Sequence, residues 1–265
     1  MEAYQTYPAS SLDSPTKLDR ARVPNCAEGR WILNLYPGAA EAGGCFLSAA
    51  RPGSGGSWWD PDPERSPAEA ARRARGHVRR YCAENRLNRL GTLTYAGAGC
   101  HDTGQLREDV AGFFKRLRGS SGERFPYLWV PEWHPGGHGL HVHFAVGRYV
   151  RHGAIDAAWG RGFVHIKLLG DLPVGSGALG EARLAARYLS KYVGKDLSEG
   201  EAAGLHRYEV AQGFQPKPRR ITGPTLDEVL ARASDLMGAQ PEEVWDSAGV
   251  QDWNGPHAVW ARWRA

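Results

Sequence analysis

The chain has 265 residues, 42% hydrophobic and 23% charged, with a formal net charge of +4. These are the proportions of a soluble globular protein with one core of ordinary size and appended segments. No run of about 18 apolar residues exists and the first residues, Met-Glu-Ala-Tyr-Gln, are polar, so neither a transmembrane helix nor a secretory signal is expected and the cytosol is the expected location. The 34 glycines and 17 prolines imply many turns, and the four cysteines, at 26, 45, 82 and 100, have no zinc-ribbon spacing and read as reduced thiols. Charge is unevenly spread: residues 65 to 124 hold thirteen Lys and Arg against six Asp and Glu. A polyanion binder needs such a basic region, although a solvated arginine-rich helix face would look the same.

Residues 1 to 22 are polar and featureless. Arg30 to Tyr36 and Gly44 to Ser48 read as two short strands, and Arg51-Pro-Gly-Ser-Gly-Gly-Ser57 as a loop or linker. Ser66, Pro67 and Glu69 form a helix start, a serine cap with proline at the first helical position, for a helix to about Asn85. The stretch from Asn88 to Tyr95 reads as a strand with Leu90, Thr92 and Thr94 on one face and Gly91, Leu93 and Tyr95 on the other. Asp102 caps a helix to about Arg118 whose apolar stripe is Leu106, Val110, Phe113, Phe114 and Leu117. A hairpin at about 125 to 150, a short helix near 153 to 159, a strand at 163 to 169 and a helix from about 179 to 194 follow. The order β-α-β-β-α-β-α predicts an α+β fold, a central antiparallel sheet covered by helices with ferredoxin-like character. Beyond Gly200 the pattern is irregular apart from a capped helix from Thr225 to Met237. Trp245, Trp253, Trp260 and Trp263 there suit packing of a C-terminal extension better than base stacking. The division expected is an N-terminal extension over 1–62 with a possible hairpin, a core over 63–199, and a Trp-rich extension over 200–265.

Chemistry concentrates in two places. In His141-Val142-His143, residues i and i+2 of a strand share a face, so both imidazoles can grip one divalent metal while Val142 enters the core. The hairpin centre, His134-Pro-Gly136-Gly137-His138-Gly139, suits a two-residue Gly136-Gly137 turn. Paired residues then sum to 273, setting Glu132 opposite His141 and Val130 opposite His143, and opposed residues share a face. Glu132, His141 and His143 would converge as a two-histidine, one-carboxylate site. Pro135 removes a ladder donor and could force a wider loop, which keeps this register if it is symmetric. His134 and His138 read as loop residues, with His134 in reserve as a ligand, and His165 reads as structural. In the helix ending Tyr188-Leu-Ser-Lys191-Tyr192-Val-Gly-Lys195, the tyrosines lie four apart on one face, each with a lysine three residues on. A phenol of ordinary pKa about 10 is a weak nucleophile at neutral pH and needs a base, a metal-activated electrophile or nearby positive charge.

Leu90-Gly-Thr-Leu-Thr94, then Glu132 through His141-Val-His143-Phe, then Tyr188 to Lys195 resemble, in that order, the three motifs of HUH endonucleases, and most closely the rolling-circle replication initiators of plasmids and phages. The resemblance covers residues 88 to 196. It implies an HUH nuclease core of ferredoxin-like fold, with His141 and His143 as metal-binding histidines, Glu132 as third ligand, and Mg²⁺ or Mn²⁺ as the metal. Tyr192 matches the nucleophile of plasmid initiators, while the Tyr-x-x-Lys-Tyr spacing resembles the two-tyrosine phage initiators; Lys191 or Lys195 would offset developing charge. The implied activity is site-specific nicking and rejoining of single-stranded or hairpin origin DNA through a 5′-phosphotyrosine. No Gly-x-x-x-x-Gly-Lys-Ser/Thr occurs, so a host helicase and a polymerase are the expected partners. A single-tyrosine transposase with the same motif order and a non-enzymatic nucleic-acid-binding domain are the competing readings.

Overall fold

The computed structural model describes residues 29–48, 65–167, 169, 177–193, 207–251, 253 and 255–264, with no side-chain description for 65–69. Cys26, the Arg51–Ser57 loop, Lys195 and the side chains of Ser66, Pro67 and Glu69 therefore lie outside the described residues. Two antiparallel sheets and five helices make up the fold, an α+β architecture as expected.

The central sheet is built from β3 (Arg89–Tyr95), β4 (Tyr127–Trp133), β5 (Leu140–Val146), β6 (Gly162–Lys167) and the two-residue β7 (Glu209–Val210), in the order β6-β3-β5-β4-β7. Helices α2 (Thr103–Ser121) and α3 (His152–Trp159) connect these strands. The run β3-α2-β4-β5-α3-β6 thus has the spatial strand order fourth, first, third, second, which is ferredoxin-like. Helices cover both faces of β3, β4 and β5, so the alternation of side chains sends the residues of these strands into two different cores. Leu93, Val142, Phe144 and Val146 pack with the apolar stripe of α2 and with Ile155 and Trp159 of α3. Leu90, Leu128, Val130 and Ala145 pack on the opposite face with α1 (Arg65–Glu84) and α4 (Gly177–Val193). Asp102 begins α2 by accepting from the amides of Gly104 and Gln105, and Gly122 ends it with a left-handed backbone.

Gly91 is required by packing rather than by backbone freedom. A Cβ there would overlap the ring of Phe144, which is 1% exposed and embedded in the α2 core. Gly91→Ala is expected to cost about 1–3 kcal/mol through overpacking, read as a lowered urea midpoint with an unchanged slope.

The second sheet joins the two ends of the chain. The hairpin β1 (Gly29–Tyr36) and β2 (Glu41–Ser48) is flanked by β8 (Arg219–Gly223), β10 (Ala258–Arg262) and β9 (Glu243–Asp246), in the order β8-β1-β2-β10-β9. The predicted N-terminal hairpin is present, whereas the tail read as irregular contributes three strands to this sheet and β7 to the other. Trp31, Leu33, Leu35, Val259, Ala261 and Trp263 form its core with α5 (Leu226–Met237), whose cap is Thr225 as predicted. Trp263, at 1% exposed, is a packing residue.

Arginines of α1 dock this flanking sheet. Arg72 lies over Trp253, Arg79 over Trp260 and Arg80 over Tyr36, with 5.3, 5.0 and 5.0 Å from guanidinium carbon to ring centre. Arg79 also donates to Glu41 at 2.7 Å, and Arg80 lies 3.6 Å from the same carboxylate, which is only 3% exposed. Other cations of the basic stretch are also engaged: Arg107 pairs with Glu209, Arg116 donates to the Ala158 carbonyl and Arg118 to that of Phe125. The stretch read from composition as a polyanion surface thus spends much of its charge holding the fold, because a guanidinium can serve a buried carboxylate, a carbonyl and an aromatic face together. Arg79→Ala is expected to cost about 3 kcal/mol, since it removes the guanidinium that bonds the buried Glu41 carboxylate and leaves the more distant Arg80; thermal or urea unfolding measures this.

Candidate active site

The site is assembled on the α4-facing side of the central sheet. Register in the β4–β5 hairpin places Glu132 opposite His141 and Val130 opposite His143, as the sum of 273 requires. The turn itself differs from expectation. Gly137 donates to the His134 carbonyl and has φ 79°, whereas Gly136 does not have positive φ. Pro135 and Gly136 are therefore the central residues of a turn within a wider loop closed by His134 donating to the Gly139 carbonyl. The loop is symmetric about Gly136-Gly137, so the register survives.

Strand β3 completes the row by pairing Thr92 with His143. The two nitrogens of His143 are both engaged: Nε2 lies 2.6 Å from Glu132 Oε2, and Nδ1 lies 3.0 Å from Thr92 Oγ1. A carboxylate can only accept, so Nε2–H donates to Glu132, and in the neutral ring Nδ1 accepts from the threonine hydroxyl. Glu132 thus reaches past its register partner to the neighbouring histidine. His143 and Glu132 are largely buried, with side chains 7% and 13% exposed.

His141 is in a different state. Its Nε2 is buried and has no hydrogen-bond partner among the described residues. Burial, with the positive charge that neighbouring His134 and His143 would carry, holds its pKa below the usual imidazole value, so the ring is neutral at physiological pH. The His134 ring lies 4.5 Å away, centre to centre, which keeps His134 near the site as the reserve ligand read from sequence. His134 Nδ1 accepts from the Gly136 amide, tying it to the turn.

Helix α4 crosses β4, β5 and β3 and lowers both tyrosines onto this cluster. The Tyr192 ring stacks on His143, 3.8 Å between centres and 17° between planes, and its hydroxyl donates to Tyr188 Oη at 2.8 Å. Burial raises the Tyr192 pKa first, then the hydrogen bond to Tyr188 and the charge of Glu132, so the phenol keeps its proton here. The N-terminal half of the same helix is anchored to the flanking sheet: Arg183 donates to the carbonyls of Ala39, Ala40 and Trp263, and Leu179 enters that sheet's core. The sheet made from the chain ends therefore helps set where the tyrosines stand.

Of the predicted site residues, Glu132, His141, His143, Tyr188 and Tyr192 come together. Lys191 is exposed, its Nζ 6.0 Å from the Tyr188 ring centre. Two residues were missed. Thr92 had been placed on the correct face without a role, and Lys167, from β6, brings Nζ to 4.8 Å from the Tyr188 ring centre. His165 is not a buried structural histidine: it is exposed and opposite Thr92 in the same row as His143.

The donor set suits a divalent cation in kind. His141 Nε2 has no other partner among the described residues, while His143 and Glu132 are closed onto each other and would have to open, with loss of the Nε2 proton. Among the described residues no group of three His, Cys, Asp or Glu is already drawn together as a metal site.

An α+β protein with a ferredoxin-like sheet and a histidine, carboxylate and tyrosine cluster on one face is the class that fold and site define. Residues 88–197 match a family model described as Replication-associated protein, of the ORF2 kind. That segment runs from the start of β3 through α4 and contains every residue of the cluster, so the part of the chain that builds the site is the part similar to a replication-associated protein. The match agrees with the motif resemblance to rolling-circle initiators and leaves the flanking sheet outside it. No curated protein and no solved structure matches the chain. No helix among the described residues is long and apolar enough to cross a membrane.

Proposed function

We propose that this protein initiates rolling-circle replication by nicking single-stranded origin DNA at a specific site and later rejoining it. The observation that carries the reading is the stacking of Tyr192 on His143 beside Glu132. The β4–β5 hairpin and helix α4, distant in sequence, meet there, and a tyrosine comes beside a carboxylate and imidazoles of the type that bind a metal.

In this reading His141, His143 and Glu132 hold Mg²⁺ or Mn²⁺, which when bound supplies positive charge to the scissile phosphate. Tyr192 Oη attacks phosphorus, the bond from phosphorus to the 3′ oxygen breaks, and the phenolic proton ends on that oxygen. The products are a 5′-phosphotyrosine and a free 3′-OH that primes synthesis. Tyr188, which accepts the Tyr192 hydrogen bond, orients the nucleophile and is placed to serve in a second transfer. Lys191 and Lys195 offset charge on the transferring phosphoryl group. Unwinding and elongation fall to a host helicase and polymerase in the cytosol.

The test is direct. Incubated with single-stranded origin DNA and Mn²⁺, the protein is expected to form an adduct that survives denaturing gel electrophoresis, and chelator is expected to prevent it. Binding of the same DNA without any adduct would instead make this a nucleic-acid-binding domain.

A further inference from the structure

Strand β6 is an edge of the central sheet, and on the face it shares with the tyrosines its own side chains are exposed. Its outward row is Phe163, His165 and Lys167, paired across to Thr94, Thr92 and Leu90. All three are exposed, and Phe163 is 69% exposed, far from the usual fate of a phenylalanine. Helix α4 lies over β4, β5 and β3, so this row runs alongside the tyrosines rather than under them. Neither β3 nor β6 contains a carboxylate.

We propose that Phe163, His165 and Lys167 form a track that holds the single strand leading to the scissile phosphate, with Phe163 stacking a base and Lys167 contacting a backbone phosphate. This rests on the nicking reading, because it is the tyrosine site that gives the strand its direction. Lys167 stands at the end of the row nearest Tyr188, with Nζ 4.8 Å from that ring's centre. Phe163 stands at the other end, beyond His165, which faces Thr92 and through it the His143 row. Outward residues of one strand recur about 6.8 Å apart, twice the rise per residue, so the three span several nucleotides of an extended chain. A single strand is the occupant that fits, since it alone offers free base faces to an exposed ring and phosphates to a lysine on a strand that carries no carboxylate.

The test measures binding of a fluorescent oligo-dT strand by anisotropy. Phe163→Ala is expected to weaken binding about tenfold, Phe163→Trp to restore it, and Tyr149→Ala, which removes an equally exposed ring (69%) outside this row, to leave it unchanged. Lys167→Ala is expected to lower the slope of log affinity against log salt by about 0.7, as loss of one phosphate contact to a single strand does. Binding by Phe163→Ala within twofold of wild type, equal losses in Tyr149→Ala, or an unaltered salt slope in Lys167→Ala would overturn the track. Adduct formation by the wild type on origin DNA is scored separately: its absence removes the nicking reading, and its presence beside unaffected Phe163 and Lys167 variants removes the track alone.

Discussion

Tyr192→Phe is expected to slow formation of the covalent protein–DNA adduct about a thousandfold, ~4 kcal/mol of barrier, against about tenfold for Tyr188→Phe. The difference follows from position. Tyr192 lies face to face with His143 and feels the charge of Glu132, whereas Tyr188 meets His143 edge-on at 6.0 Å and accepts the hydrogen bond that Tyr192 donates. Removing the Tyr188 hydroxyl takes away an orienting contact but leaves the attacking oxygen. Burial above all, then the hydrogen bond to Tyr188 and the nearby charge of Glu132, raises the Tyr192 pKa, so the hydroxyl becomes a competent nucleophile only where added positive charge favours loss of its proton. Quantifying adduct in single-turnover reactions checks this; a larger loss in Tyr188→Phe would move the nucleophile to Tyr188.

His141→Ala is expected to abolish adduct formation while leaving the metal-free protein as stable as wild type, or more so. Removing a partly buried ring normally costs stability, yet here Nε2 has no partner among the described residues and carries a desolvation penalty of about 1–3 kcal/mol that the substitution relieves. The discriminating measurement is the melting temperature with and without Mn²⁺. Wild type is expected to gain stability with the ion, by about 2.7 kcal/mol at a hundredfold excess over Kd, and His141→Ala to gain little. A large loss of stability without metal would mean that His141 is a packing residue, and an undiminished Mn²⁺ shift would place the ion elsewhere.

Much of the site was legible because it depends on local rules. The alternation of β3 put Leu90, Thr92 and Thr94 together on one face, and the centre of the 134–139 loop set the pairing of Glu132 with His141. Pro135 changed the turn type without changing the register, since the loop grew by equal amounts on both sides. The helical spacing of Tyr188 and Tyr192 put both on one face. None of these steps needs a partner distant in sequence.

What stayed hidden were choices among alternatives that only packing resolves. Glu132 bonds to His143 rather than to its register partner because side chains reach diagonally across a pleated surface. His165 and Lys167 read alike in any half-buried strand, and only the edge position of β6 shows that their face is open. The arginines of α1 looked like a polyanion surface until Glu41, Trp253 and Trp260 were brought to them from remote parts of the chain. By itself the sequence determined the ferredoxin-like order, the hairpin register and the residues of the cluster, all set by periodicity and turn chemistry within short windows. Only the tertiary structure decided that β1 and β2 join β8, β9 and β10 in one sheet and that this sheet grips α4 through Arg183, because pairing strands from opposite ends of the chain leaves no periodic trace in either one.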